Sequence, residues 1–406
     1  MKHIVILGAG FGGLRAAMDI AKKLRGLNLL DKYEVVLIDR SDCHLYTPLL
    51  YKVATSPSMH ENVCTYDISP LIKELPIRFV QDEVTNIDLP NGDVHLKGGA
   101  PIKTDFLVVA LGSETNYFGI PGLKENSLQL KTVESAMEVQ NAIRAAFAQG
   151  SEVKIVAGGA GANGIELAAE LRLWANRAER ENKNLKVSVS IIEAMPTVLP
   201  GLDVRVVRTV ATRLQRLGVA VMTGAKIVSV APREISLDGN TKISFDVFIW
   251  TGGIKTPEMI SVLPIKKEPR GKPITEAHMA CLAATPDLKL HPMIYGLGDS
   301  VCFMNPITNR PIPAVAPAAI AQANVVAHNI IEEIKVLESR VKSQESRMYI
   351  PREYPYVIPA GGRYAIAKIG PLVISGFLGW LFEKLVALNY LLSIMPFFRA
   401  VGAWLK

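Results

Sequence analysis

The stretch KIVAGGAGANGIELAAEL, residues 154–171, decides the fold. It opens apolar and β-branched, as a strand does. Gly159, Gly161 and Gly164 follow as G-x-G-x-x-G, and a helix begins at once. This order sets unpaired N–H groups and the positive end of a helix dipole against a dinucleotide diphosphate. Working outward, the plan recurs at residues 4–17, IVILGAGFGGLRAA, with Gly8, Gly10 and Gly13 at the same spacing. Each loop is followed one strand later by an acid: Asp39 after Tyr33–Ile38, and Glu193 after Val187–Ile192. Each half then carries an apolar strand closed by a small turn, LVVALGS at 107–113 and VFIWTGG at 247–253. The chain is an internal repeat of plan. Strands alternating with helices predict an α/β protein with two parallel, doubly wound sheets.

In each loop the first glycine permits the tight turn. The second lets backbone approach a phosphate, and the third lets the helix pack near the strand. A carboxylate at a strand end can accept both hydroxyls of an adenosine ribose, and it repels a 2′-phosphate. No basic pair follows Glu193, so the second site favours NADH over NADPH. Asp299, in IYGLGDS at 294–300, is either a turn aspartate or a hydrogen-bond partner for a flavin's ribityl chain. Glu166 and Glu170 share one helix face at i and i+4. They are either a solvated face or carboxylates that grip a nicotinamide and relay protons.

The 406 residues suffice for two or three domains. Hydrophobic residues make up 49%, charged residues 20%, and net charge is +7. From Arg340 to Lys406 there are nine basic and three acidic residues, so this segment carries +6 and the rest only +1. A basic excess on an apolar segment points to an anionic lipid surface, or else to a solvated tail. No aromatic-basic motif supports nucleic acid. Cys43, Cys64, Cys281 and Cys302 form no short-spaced redox pair and no metal-binding spacing. No signal peptide precedes the first strand, and the expected location is the cytoplasmic side of the cell membrane. The longest charge-free stretches of the tail, Pro371–Phe382 and Leu385–Phe398, are too short to span a bilayer. They predict an interfacial helix pair, with a dimer interface or a core helix as the alternative.

The whole pattern resembles the two-dinucleotide-binding-domain flavoproteins, and within them the type II NADH:quinone dehydrogenases. CHLYTPLLYKVAT (43–55), FVQDEVTNID (79–88), LVVALGSETNYFGIPG (107–122), GANGIELAAEL (161–171), IWTGGI (249–254), YGLGDS (295–300) and GGRYAIAKIGPLVISGFLGWL (361–381) carry the resemblance. It implies two Rossmann-like domains and a C-terminal helical membrane segment. A discontinuous FAD domain would occupy 1–115 and 258–335, a connection 116–150, an inserted NADH domain 151–257, and the membrane segment 336–406. It further implies non-covalent FAD held by Gly8, Gly10, Gly12, Gly13, Asp39, Val84, Ala110 and Asp299. NADH would be held by Gly159, Gly161, Asn163, Gly164, Glu166, Glu193 and Gly253. Glu166, Glu170 and Lys368 would be the catalytic acids and base. A membrane quinone would meet Pro317, Ile320, Gln322 and Lys368.

The family's Ala-Gln-x-x-x-Gln helix start is APAAIAQ here (316–322), with Pro317 and Ala321 at the glutamine positions, so quinone contacts would differ. The expected function is a monotopic, non-pumping respiratory-chain enzyme passing electrons from NADH through FAD to quinone, with a homodimer possible. The rivals are a sulfide:quinone or oxygen-reducing relative, and a flavin-bearing protein that answers NADH by changing its interactions.

Overall fold

The computed structural model describes residues 1–58, 61–269, 271–288, 290, 293–339 and 345–405. Residues 340–344 and 406, within the expected membrane segment, lie outside the described residues. The chain forms two compact units. One comprises 1–45, 65–114 and 255–354. The other comprises 46–64, 115–254 and 355–406. Residues 46–64, inside the stretch 1–115, thus pack with the unit that carries the second glycine loop, as do 355–406.

The first unit is built on five parallel strands in the order Met293–Gly296, Phe106–Val109, Lys2–Leu7, Tyr33–Asp39, Ile77–Gln81. The glycine-loop strand is central. Ile4, Val5, Ile6 and Leu7 are all fully buried, as a parallel sheet covered on both faces requires. Helix Phe11–Gly26 follows the loop.

The second unit repeats the arrangement in the order Leu128–Gln129, Val247–Trp250, Glu152–Gly158, Lys186–Ile192, Ala220–Met222, again parallel throughout. Helix Ala162–Glu181 follows its loop. A short helix, Leu50–Thr55, ends in this unit against Gln140. The Gln140 amide donates to the carbonyls of Val53 (2.6 Å) and Ser56 (3.1 Å), which satisfies the helix's free end.

The C-terminal segment holds the expected helix pair and adds a sheet before it. Residues 356–376 form an antiparallel three-stranded sheet of Tyr356–Pro359, Ala365–Ile369 and Leu372–Gly376. One continuous helix, Phe377–Ile394, then runs straight through Glu383 and Lys384, and a second helix, Phe397–Trp404, follows. The break falls at Met395–Pro396, where proline's fixed φ and missing N–H end a helix, not at the charged pair. By length and composition alone the first of these helices could cross a membrane, with a mean hydropathy of 1.4. It is nevertheless fastened to its own unit. The Lys52 ammonium meets the Glu383 carboxylate at 2.8 Å, with both side chains under 15% exposed. Tyr46 stacks on Tyr390 at 5.4 Å. Phe377, Leu378, Leu381, Leu385 and Leu392 stay exposed. They recur at helical spacing and form one unpartnered apolar face.

Gly379 lets this helix touch the sheet, because a Cβ there would stand 2.2 Å from the Ala365 carbonyl oxygen. Gly379→Ala should therefore cost about 1–3 kcal/mol, which lowers the melting temperature by several degrees. Gly402→Ala meets nothing within 4 Å and should leave it unchanged or slightly raised. Equal melting curves for the two variants would contradict this docking.

Candidate functional site: two nucleotide loops and a buried charge cluster

The two glycine loops agree down to single hydrogen bonds. Gly8 (φ +97°) donates its N–H to the Ile38 carbonyl at 2.8 Å, and Gly159 (φ +100°) donates to Ile192 at 2.8 Å. Ala9 N–H goes to the Asp39 carboxylate at 2.6 Å, and Ala160 N–H to Glu193 at 2.7 Å. The second carboxylate oxygens take Ser41 N–H and Met195 N–H. Asp39 and Glu193 therefore hold their own loops as well as facing the strand ends.

The glycines divide by cause. A Cβ on Gly13 would lie 1.9 Å from the Gly8 oxygen, and one on Gly164 would lie 2.0 Å from the Gly159 oxygen. These two are required by the chain's own packing. Gly10 and Gly161 sit in extended conformations open to any residue, and a Cβ on either meets nothing within 4 Å. The space beyond them is left free on the ligand side, and neither following helix has a side-chain cap or an acid in its first turn. The residues present therefore fit a dinucleotide diphosphate at each loop. Asn163, in the first turn of the second helix, is exposed.

Gly12 has a packing task, because a Cβ there would strike Leu297 and Ala319. Gly253 gives room to the Phe118 ring, 2.6 Å from a Cβ there, and its carbonyl accepts Asn116 N–H. Ala110 N–H bonds Leu7, and the Val84 side chain lies in the core of its unit. Asp299 accepts Ser113 Oγ–H at 3.1 Å.

Gln322 is 2% exposed, and its side-chain oxygen accepts the Gly298 N–H at 2.7 Å. It braces the turn that bears Asp299, so that oxygen is already engaged. Pro317 is exposed and Ile320 half-buried on the same helix.

His44 was not singled out by the sequence reading. It is fully buried, and burial lowers its pKa to about 4. The neutral ring donates Nδ1–H to the Ala9 carbonyl at 2.8 Å and lies edge-on to Phe11. It fixes the first loop from beneath.

Glu166 and Glu170 do face one region, and the structure adds three residues to it. Glu166 is buried, and desolvation raises its pKa well above the usual carboxylate value. The Glu383 charge adds to this shift, and Lys52 opposes it. Burial therefore favours the protonated form of Glu166. Tyr51 is raised well above the phenol value, first by burial and then by Glu383, Glu166 and Glu170. Its hydroxyl donates to Glu383 at 3.4 Å. Glu170 is half-buried and accepts Gly362 N–H at 2.8 Å. Lys368 lies on the central C-terminal strand, half-buried, where its charge acts on Asp203. Tyr51, Lys52 and Glu383 had a sequence signal after all. Lys52 is a lone charge in the apolar run PLLYKVA, and Glu383 sits beside Lys384 in the apolar run WLFEKLVA.

The four cysteines are free thiols. Burial, with Asp42 and Asp67 beside it, pushes Cys43 up to about 12, and burial alone does the same to Cys281.

Two predictions follow from the causes just given. Gly161→Ala should fold normally yet weaken dinucleotide binding at the second loop, while Gly164→Ala should lower the melting temperature itself. Loss of stability in Gly161→Ala with binding intact would reverse the assignment. For Glu166 the sign is that of an acid whose pKa is raised on folding. The stability it allows is complete below about 4.5 and is lost as pH rises through the folded value. Glu166→Gln should flatten that decline in a melting-temperature series, and an unchanged slope would show that Glu166 is not the titrating group.

With this geometry in place, comparison with known proteins is informative. The chain is 28% identical to the type II NADH:quinone oxidoreductase Ndh of Mycobacterium tuberculosis, over 99% of this chain and 87% of that protein. Its fold is similar to the structure of NDH2 from Plasmodium falciparum in complex with NADH, with a TM-score of 0.81 and 16% identity, covering 100% of this chain and 98% of that one. It is also similar to the sulfide:quinone oxidoreductase from Aquifex aeolicus, with a TM-score of 0.76 and 20% identity over 95% and 90% of the two chains. Residues 2–323 match the family model described as pyridine nucleotide-disulphide oxidoreductase, and the chain belongs to that family.

Proposed function

We propose that the protein is a type II NADH:quinone oxidoreductase, non-pumping and seated on the cytoplasmic side of a membrane. The observation that carries this reading is the second loop, a full copy of the first in its own sheet. One dinucleotide can stay resident while a second comes and goes. In this reading Gly8, Gly10, Gly13, Asp39 and Asp299 serve FAD, and Gly159, Gly161, Asn163, Gly164, Glu193 and Gly253 serve NADH. The resemblance to the Mycobacterium tuberculosis protein supports quinone as acceptor. The exposed apolar face of Phe377–Ile394 supports membrane seating.

Bound FAD would accept a hydride from NADH and pass two electrons on to quinone. The chain's own residues orient the cofactors and manage protons. Asp39 and Glu193 select ribose hydroxyls, and Glu166 offers a buried carboxyl whose raised pKa favours its protonated form. Glu170 and Lys368 are proposed as proton-relay groups, and Pro317 and Ile320 are proposed to meet the quinone. Burial pushes the Cys43 and Cys281 thiols up to about 12, which speaks against a sulfide-handling reading, since that needs a thiolate.

Stopped-flow absorbance tests the proposal. NADH should bleach the flavin, and a soluble quinone should restore it faster than oxygen does. Bleaching without quinone-dependent recovery would rule out the acceptor. Glu193→Ala removes both the ribose acceptor and the Ala160 anchor. It should raise the KM for NADH by about 10- to 100-fold while FAD stays bound. Loss of FAD instead would mean the two loops are wrongly assigned.

A further inference from the structure

We propose that Arg363, Trp380 and Lys384 form a binding site for the phosphate of an anionic phospholipid headgroup. The inference rests on the membrane seating proposed above and goes on to assign the lipid's point of capture.

Two cations converge on one indole. The Arg363 guanidinium lies 5.7 Å from the centre of the Trp380 ring, and the Lys384 ammonium lies 6.0 Å from it. Among the described residues, neither makes an ion pair. The local charge is one-sided, because Lys52 also bears on Lys384. Burial and that lysine lower the Lys384 pKa, and Glu383 offsets this only in part. Glu383 is already joined to Lys52. A phosphate bound at this indole would offset that excess of positive charge.

The site is built in advance. Arg363 rides on a turn whose Gly361 and Gly362 take φ of +90° and +66°. Three side-chain bonds hold that turn. Glu170 accepts the Gly362 N–H, and Arg213 donates to the carbonyls of Ala360 (3.0 Å) and Gly361 (3.2 Å). The Arg213 guanidinium also lies over the Tyr364 ring at 4.4 Å. On the other side, Trp404 Nε1–H binds the Lys384 carbonyl at 2.7 Å. Ligand binding therefore needs little further ordering of the frame.

The source of the phosphate follows from the surroundings. Phe377 packs on Trp380 at 5.3 Å and is 56% exposed, and Leu378 is 60% exposed. Leu381 and Leu385 continue the apolar face. Acyl chains would cover these groups, while free phosphate would gain nothing from them. Tryptophan beside cationic side chains is also what the headgroup level of a bilayer favours.

The test uses the full-length flavin-bound protein and phosphatidylcholine vesicles with and without phosphatidylglycerol, at physiological salt. Phosphatidylglycerol should strengthen binding. The double variant Arg363→Gln/Lys384→Gln should lose that gain by on the order of 30-fold, as two surface charges imply. It should keep its flavin and its turnover with a soluble quinone. A control, Lys124→Gln/Lys183→Gln, removes the same charge from exposed sites in the same unit and should lose far less. Arg363→Lys, which keeps the charge and loses the planar fork, should restore part of the preference. The proposal fails if the double variant prefers phosphatidylglycerol as the unaltered protein does, if the control loses as much, or if millimolar inorganic phosphate abolishes the preference. An unaltered protein that binds neither vesicle overturns both this site and the membrane seating. Intact lipid preference without quinone turnover would overturn the oxidoreductase reading and leave the site standing.

Discussion

A carbon atom placed on Gly164 would stand 2.0 Å from the Gly159 carbonyl oxygen, and one on Gly13 would stand 1.9 Å from that of Gly8. No side chain can be accommodated there without moving backbone. The contact draws each loop helix against the end of its strand, so that the helix's first N–H groups face the free space above the loop. The strand-end acids complete the arrangement by taking the Ala9 and Ala160 N–H groups. The conformation is thus settled by the chain alone, and a dinucleotide meets donors that are already aimed.

This constraint is local in sequence, and that is why so much of the fold could be read from it. Both glycine turns, their strands, the acids Asp39 and Glu193, and the late apolar strands at 106–109 and 247–250 all follow from spacing within some 30 residues of one another or from plain hydrophobic runs. The helix Val204–Leu217 was not anticipated, although Asp203 caps it and Val206, Val210 and Leu214 mark its buried face. The C-terminal sheet was missed for a physical reason. Its strands Ala365–Ile369 and Leu372–Gly376 are too short and too uniformly apolar to be told from a buried helix, and their pairing depends on Gly370 turning at φ +54°.

The candidate site was half legible. Glycines announce the phosphate positions, since few other demands produce G-x-G-x-x-G after a strand. Partners brought together by folding do not announce themselves. His44 looks like any residue of CHLYTPLL, yet it holds the Ala9 carbonyl from a buried position. Gln322 looks available for a ligand, yet its oxygen is used on Gly298. The charged pair Glu383–Lys384, which bounds the charge-free stretches, illustrates the general difficulty. A charge in an apolar run was treated as an interruption, but Lys52, more than 300 residues earlier, neutralises it from inside the fold.

That pairing also bears on the Glu166 carboxyl, which feels both of its charges. Burying an ion pair costs desolvation energy that its attraction offsets only when the geometry is good, and removing one member costs on the order of 3–5 kcal/mol. Lys52 and Glu383 meet that condition at 2.8 Å with little exposure. Lys52 and Glu383 act on Glu166 in opposite senses, so neither charge governs it alone. Desolvation is the largest cause of its raised pKa, Glu383 adds to it and Lys52 opposes it. The apolar C-terminal helix therefore does more than cover its unit. By carrying Glu383 inward, it adds to the upward pKa shift that burial imposes on Glu166, a residue on the helix that begins at the second glycine loop.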